Sequence, residues 1–204
     1  GDLARKNYLL SMDMLFNGGI ERMEALEDNE EDLNFLNTNI TEYLVKINSL
    51  ELEDNDRQLV GSLFHVVSDF ERIGDHGENI AEQAILLEKT KTTFSENALN
   101  ELHEMQDRVI GVLDDSCRLF QSRKMDFDLA YKINSTEDSI DKMAKEYKEN
   151  HVSRLNQSLC TAQGGAIYND LLTNLERIAD HSTNIAFALW QNNESVYTAS
   201  TAQV

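Results

Sequence analysis

Residues 69–81, Asp-Phe-Glu-Arg-Ile-Gly-Asp-His-Gly-Glu-Asn-Ile-Ala, return 105 positions later as residues 174–186, Asn-Leu-Glu-Arg-Ile-Ala-Asp-His-Ser-Thr-Asn-Ile-Ala. Eight of the thirteen aligned positions are identical, and five of those are polar: Glu71/Glu176, Arg72/Arg177, Asp75/Asp180, His76/His181 and Asn79/Asn184. Internal similarity of this kind predicts a fold built twice. Packing asks only for apolar residues at a helical period. It has no reason to repeat Glu-Arg-x-x-Asp-His-x-x-Asn, so the doubled polar signature marks where function is to be sought.

The chain contains no proline in 204 residues, where average usage gives about ten. That absence suits long unbroken helices, because proline removes a helix hydrogen bond and clashes with the preceding turn. From Asp54 to Lys89, apolar or small residues fall at Leu59, Leu63, Val66, Phe70, Ile73, Gly77, Ile80, Ala84 and Leu87. Steps of four and three mark a helix packed in a bundle. Tyr168, Leu171, Leu175, Ile178, Ser182, Ile185 and Leu189 repeat the seam.

The flanking segments pair as well. Ile20 to Ser49 aligns with Phe127 to Asn156, setting Leu33 on Ile140, Leu36 on Met143 and Glu30 on Glu137. Leu3 to Asn17 aligns with the end of Ser95 to Ser122, Leu15-Phe16 matching Leu119-Phe120. Asn17-Gly-Gly19 reads as a turn, Thr90 to Ser95 as a linker, and Ser95 as a helix N-cap. The expected fold is all-α: six long helices forming two tandem three-helix bundles, residues 1–94 and 95–204. The first helix begins about ten residues later than its counterpart. The sequence therefore reads as a fragment of a larger protein with the missing part N-terminal.

Composition narrows the function. The net charge is −19, and both halves are acidic. Such a field opposes binding to DNA, RNA or an anionic membrane surface and favours cations. The longest apolar run, Ile185 to Trp190, is far too short to span a bilayer, and no signal peptide is visible. Cys117 and Cys160 lack CxxC or Cys/His metal spacing and read as a reduced pair.

Glu71 and Asp75 stand four apart, hence on one helix face, and Glu78 and Glu82 continue the stripe. Like charges so placed repel. Arg72 lies about 100° around the helix and does not obviously neutralise them, so a cation is the natural counter-charge. Glu137 and Asp141 form a second such pair. Set against Glu176 and Asp180, they would make a four-carboxylate site between helices, as in carboxylate-bridged metal centres of bundles. All-oxygen ligands favour Mg²⁺, Mn²⁺, Ca²⁺ or iron over a closed zinc site. In the first half the partner pair is Glu30 with Asn34, one carboxylate short, with Glu78 available to compensate. The bland alternative is a solvated acidic face. His76 and His181 are read as hydrogen-bonding neighbours rather than ligands, and Asn79 and Asn184 as supports or weak oxygen ligands. Motifs for nucleophilic catalysis or phosphate cradles are absent; Gly164-Gly165 is a bare pair.

With these residues in view, the chain resembles the PhoU family, whose members look like tandem three-helix bundles with an E(D)-x-x-x-D motif in each repeat. Glu71-Arg-Ile-Gly-Asp75-His, Glu176-Arg-Ile-Ala-Asp180-His and Glu137-x-x-x-Asp141 carry the resemblance across essentially the whole chain. Asn34, Thr183 and Phe187 depart from acidic positions, leaving the second metal site the better formed. The resemblance implies a non-enzymatic regulator of phosphate uptake able to hold iron or zinc. It implies partners among phosphate-signalling proteins or the membrane portion of a phosphate transporter, with a homodimer left open. Two contexts follow: the cytoplasmic C-terminal domain of a sodium/phosphate cotransporter at the inner membrane, preferred from the clipped first helix, or a free cytoplasmic regulator. A metal-dependent phosphoester hydrolase and a purely scaffolding helical protein are the remaining alternatives.

Overall fold

The computed structural model describes residues 1–190; residues 191–204, the end of the expected second unit, lie outside the described residues. Six helices follow one another: α1 (Asp2–Asn17), α2 (Met23–Asn48), α3 (Asp54–Thr90), α4 (Glu96–Ser122), α5 (Phe127–Asn156) and α6 (Ala162–Phe187). Their ends lie where local chemistry puts them. Gly18 and Gly19 take φ of 74° and 100° between α1 and α2, a left-handed turn that glycine makes without a Cβ penalty. Ser95, Asp126 and Thr161 cap α4, α5 and α6 by accepting from the backbone N–H of Ala98, Leu129 and Gly164, satisfying donors the first helical turn leaves open.

Helix α3 packs against α1 and α2, α6 packs against α4 and α5, and α3 and α6 pack on each other. That central pair is antiparallel, since His76 meets Asn174 while His181 meets Asp69. The duplication thus becomes an approximate two-fold axis through the middle of the molecule. The seams on α3 and α6 enter a core shared by both halves. It runs from Tyr8, Met12 and Ile73 through Leu113 and Ile140 to Leu171 and Ile178. A smaller cluster of Met14, Leu26, Ala81 and Ala84 lies at the α1–α2 turn.

Polar contacts join the halves as well. Arg5 forks onto Asp114 with bonds of 2.6 and 3.0 Å, and the buried Tyr8 hydroxyl donates to the Gln106 carbonyl at 3.3 Å. At Gly77, α3 faces the backbone of Asn7 and Tyr8, where a Cβ would make ordinary contact at 3.5 Å. Cys117 and Cys160 are both free.

Candidate metal centre

Three acids converge in the second half. Glu137 and Asp141, one turn apart on α5, face Asp180 of α6, and one carboxylate oxygen from each lies within 4.8 Å of the others. Among the described residues this is the one group of three acidic, histidine or cysteine side chains so placed. Burial, then the charges of Asp141 and Asp180, pushes Glu137 up to about 7. Burial, then the charges of Asp180 and Glu176, raise Asp141. Asp180 is also raised, chiefly by burial, with Arg177 working against the rise. These are carboxylates short of positive charge.

Glu176 stands beside this trio rather than in it. Lys148 Nζ, from α5, donates to its Oε2 at 3.2 Å. Lys148 lies seven residues after Asp141 and so on the same helix face, a spacing that pointed to this partner. In this second copy the motif arginine does reach an acid: Arg177 Nη1 sits 3.3 Å from Asp180 Oδ2. It lies about 100° from Glu176 but only one turn before Asp180, within reach of a long side chain.

The first copy is built differently. Glu30 on α2 is 5% exposed; Asn7 Nδ2 donates to its Oε2 at 3.3 Å, while Oε1 has no hydrogen-bond partner. The buried Asn7 Oδ1 is likewise unpartnered. Burial, then Asp75 and Glu78, drives Glu30 up to about 7. Glu71 is raised by burial and Asp75, and Glu78 by burial, Glu82 and Asp75. Glu30, Glu71, Asp75 and Glu78 therefore share one field without three oxygens converging. Asn34 is exposed. Gly74 gives Glu30 its place, because a Cβ there would lie 2.7 Å from Glu30 Oε2. Ala179 occupies the equivalent position in the second half, Phe187 is in the core, and Thr183 Oγ1 is buried without a partner.

The motif histidines lie between the two centres. Their rings stack across the α3–α6 contact with centroids 5.6 Å apart. His76 Nδ1 pairs with Asn174 Oδ1 and His181 Nδ1 with Asp69 Oδ1, each at 2.9 Å. Burial leads in lowering His76 from its ordinary value. Each half thus lends its motif histidine to the first residue of the other half's motif. Sequence reasoning saw the histidines and missed the exchange. Its signal was present: positions 69 and 76, like 174 and 181, are seven apart and share a face.

The residues present fit a metal. Glu137, Asp141 and Asp180 offer oxygen ligands from two helices, whereas in the first half Glu30 Oε1 and Asn7 Oδ1 are buried without a partner. Oxygen donors suit hard divalent cations or iron, which would neutralise the clustered charge.

Fold and site together define a class: duplicated three-helix proteins whose repeats each present an acidic helix face. The PhoU domain profile matches residues 1–84 and 102–189, and the chain belongs to the PhoU family. It is 26% identical over 181 residues to the phosphate-specific transport system accessory protein PhoU homolog 1 of Thermotoga maritima, covering 79% of this chain and 76% of that one. With the PhoU homolog of Pseudomonas putida it shares 26% over 187 residues, or 91% and 72% of the two chains. The crystal structure of PhoU from Pseudomonas aeruginosa superposes with a TM-score of 0.84 at 23% identity, covering 92% of this chain and 88% of the other. The phosphate transport system regulatory protein PhoU of Streptococcus pneumoniae gives 0.80 at 22%, covering 92% and 86%.

Proposed function

We propose that this chain is a non-enzymatic accessory regulator of phosphate transport that binds metal ions on its acidic helix faces. The meeting of Glu137, Asp141 and Asp180 carries the metal reading. Family membership and relatives described as accessory proteins of phosphate-specific transport systems support the regulatory one. Glu137 and Asp141 would hold the ion from α5 and Asp180 from α6, with Glu176 exchanging Lys148 for the metal as a fourth donor. Bound metal supplies counter-charge here. The residues' own work is to hold α5 against α6 and fix the shape of the outer face on which signalling or transport proteins dock.

Two contexts compete. The accessory-protein description of the relatives fits a separate PhoU-type regulator better than a cotransporter's own cytoplasmic domain. Among the described residues no helix is long and apolar enough to cross a membrane, which suits action on the cytoplasmic side in either case. The deciding test is metal content after purification without added metal, followed by titration with Mn²⁺ and Fe³⁺. Binding by the wild type and its loss in Asp180→Asn supports the reading; equal content in both overturns it. Turnover of a generic phosphoester with Mn²⁺, lost in Glu176→Ala, would instead make the protein a hydrolase.

A further inference from the structure

The two halves fill one buried position of the repeat differently. In the first half, Leu44 of α2 and Val60 of α3 are both buried. Their counterparts, 107 and 105 positions on, are His151 of α5 and Gly165 of α6. The exchange is steric. A Cβ on Gly165 would lie 2.9 Å from His151 Cε1 and closer still to Nε2, so the imidazole fills space that only a missing side chain leaves open. Packing is served by Leu44 and Val60; an imidazole in their place costs desolvation and calls for a role.

What the ring meets is a thiol. His151 is 5% exposed, and its Nδ1 lies 3.8 Å from Cys160 Sγ. Among the described residues this thiol is its only hydrogen-bond partner. Burial, then the Arg154 guanidinium, holds His151 below its ordinary value against the pull of Glu101. The ring is therefore neutral at about pH 7, and Nδ1 can accept the thiol proton. Cys160 is free and half-buried in the loop between α5 and α6, which leaves its sulfur open to small molecules. Cys117 differs: burial pushes its thiol up, and among the described residues no histidine bonds it.

A groove of about 750 Å³ along α4 and α5 reaches Leu159, the residue before Cys160. Asn150, Ser153 and Gln157 line it with hydrogen-bonding groups, and Glu104 and Glu146 with carboxylates. In a chain of net charge −19, those acids favour a reagent with amine arms over one with carboxylate arms. We propose that Cys160, with His151 as its base, is a reactive thiol that undergoes thiol–disulfide exchange with small aminothiol disulfides. An adjacent imidazole is one of the established ways to activate a cysteine. His151 Nδ1 takes the thiol proton as Sγ attacks one sulfur of the disulfide. A new Sγ–S bond forms and the old S–S bond breaks. The departing thiolate leaves with the bonding pair and takes the proton from His151. Cys160 is oxidised to a mixed disulfide, one equivalent of free aminothiol is released, and no further reactant is consumed.

The test uses the whole reduced chain, cystamine as the disulfide, and peptide mass spectrometry to time the adduct at each cysteine. Cys160 should gain the adduct about tenfold faster than Cys117. His151→Leu/Gly165→Val rebuilds the apolar pair of the first half. It should keep the helical circular dichroism spectrum and slow Cys160 about tenfold, leaving Cys117 within about twofold. His151→Gln, which still hydrogen-bonds but takes no proton, should slow Cys160 to the same extent, and it alone decides if the double variant fails to fold. Dithiodipropionate, a dicarboxylate disulfide, should react more slowly than cystamine at Cys160. Equal rates at the two cysteines, an unchanged Cys160 rate in a folded His151 variant, or faster reaction with the dicarboxylate would each overturn the proposal.

Discussion

At the scale of single residues, the repeated motif does two jobs at once. Its acids, Glu71 and Asp75 in one half and Glu176 and Asp180 in the other, join carboxylate clusters with the neighbouring helix of their own half, and its histidines face the other half. The stacked His76 and His181 rings, each bonded to the opposite motif's first residue, predict energetic coupling between halves. A double-mutant cycle with His76→Ala and His181→Ala should return a coupling energy of about 1 kcal/mol, the size expected of an aromatic pair, by urea unfolding. Additive losses would mean the two rings act independently. The carboxylates predict the opposite sign for a substitution. Asp180→Asn removes one of three mutually repelling groups, so the metal-free protein should melt higher than wild type at pH 8. It should also gain less from added Mn²⁺, which differential scanning calorimetry reads directly. The acidic positions were readable because the duplication repeated polar residues that packing does not require. Lys148 and the Asp69/Asn174 exchange left only a seven-residue spacing as their signal, and naming their partners required knowing how the helices pack.

At the scale of helices, the clamp joining α4, α5 and α6 is the firmest polar element. Glu101 of α4 accepts two bonds from Arg154, at 2.9 and 2.7 Å, one from Asn150 and one from the Tyr168 hydroxyl. Burial alone would raise Glu101; those bonds outweigh it and hold the carboxyl below its ordinary value. A depressed carboxyl lends stability above its unfolded value and loses it as pH falls through the folded one. Arg154→Ala should therefore cost about 3 kcal/mol, since it strands a largely buried carboxylate, and the loss should shrink as pH drops below 4. Chemical denaturation at pH 7 and pH 3.5 measures both. Helix extents were largely readable, because the absence of proline, the Gly18-Gly19 turn and the Ser95 cap act locally. The clamp was not readable, since its members lie dozens of residues apart on three helices.

At the scale of the molecule, charge sets the pH dependence. Glu30 and Glu137 both sit near 7 in the folded protein against an ordinary value near 4.5. A carboxyl raised on folding binds more protons in the native state, so metal-free stability should fall as pH climbs from about 4.5 to 7 and level off beyond. Metal binds the deprotonated form, so its stabilisation should grow over the same window. The asymmetry between halves was partly visible beforehand in Asn34, Thr183 and Phe187. Its structural basis was not: Gly74 seats Glu30 under α3, and the unpaired oxygens of Glu30 and Asn7 appear only once α1, α2 and α3 are packed.

Equilibrium dialysis against Mn²⁺ at pH 7.5, comparing wild type with Asp141→Asn/Asp180→Asn, tests the metal centre most directly. The wild type should retain metal at the α5–α6 face, and the double variant should lose at least one bound equivalent while keeping its helical circular dichroism spectrum. Retention of equal metal by both proteins, or of none by either, would contradict it.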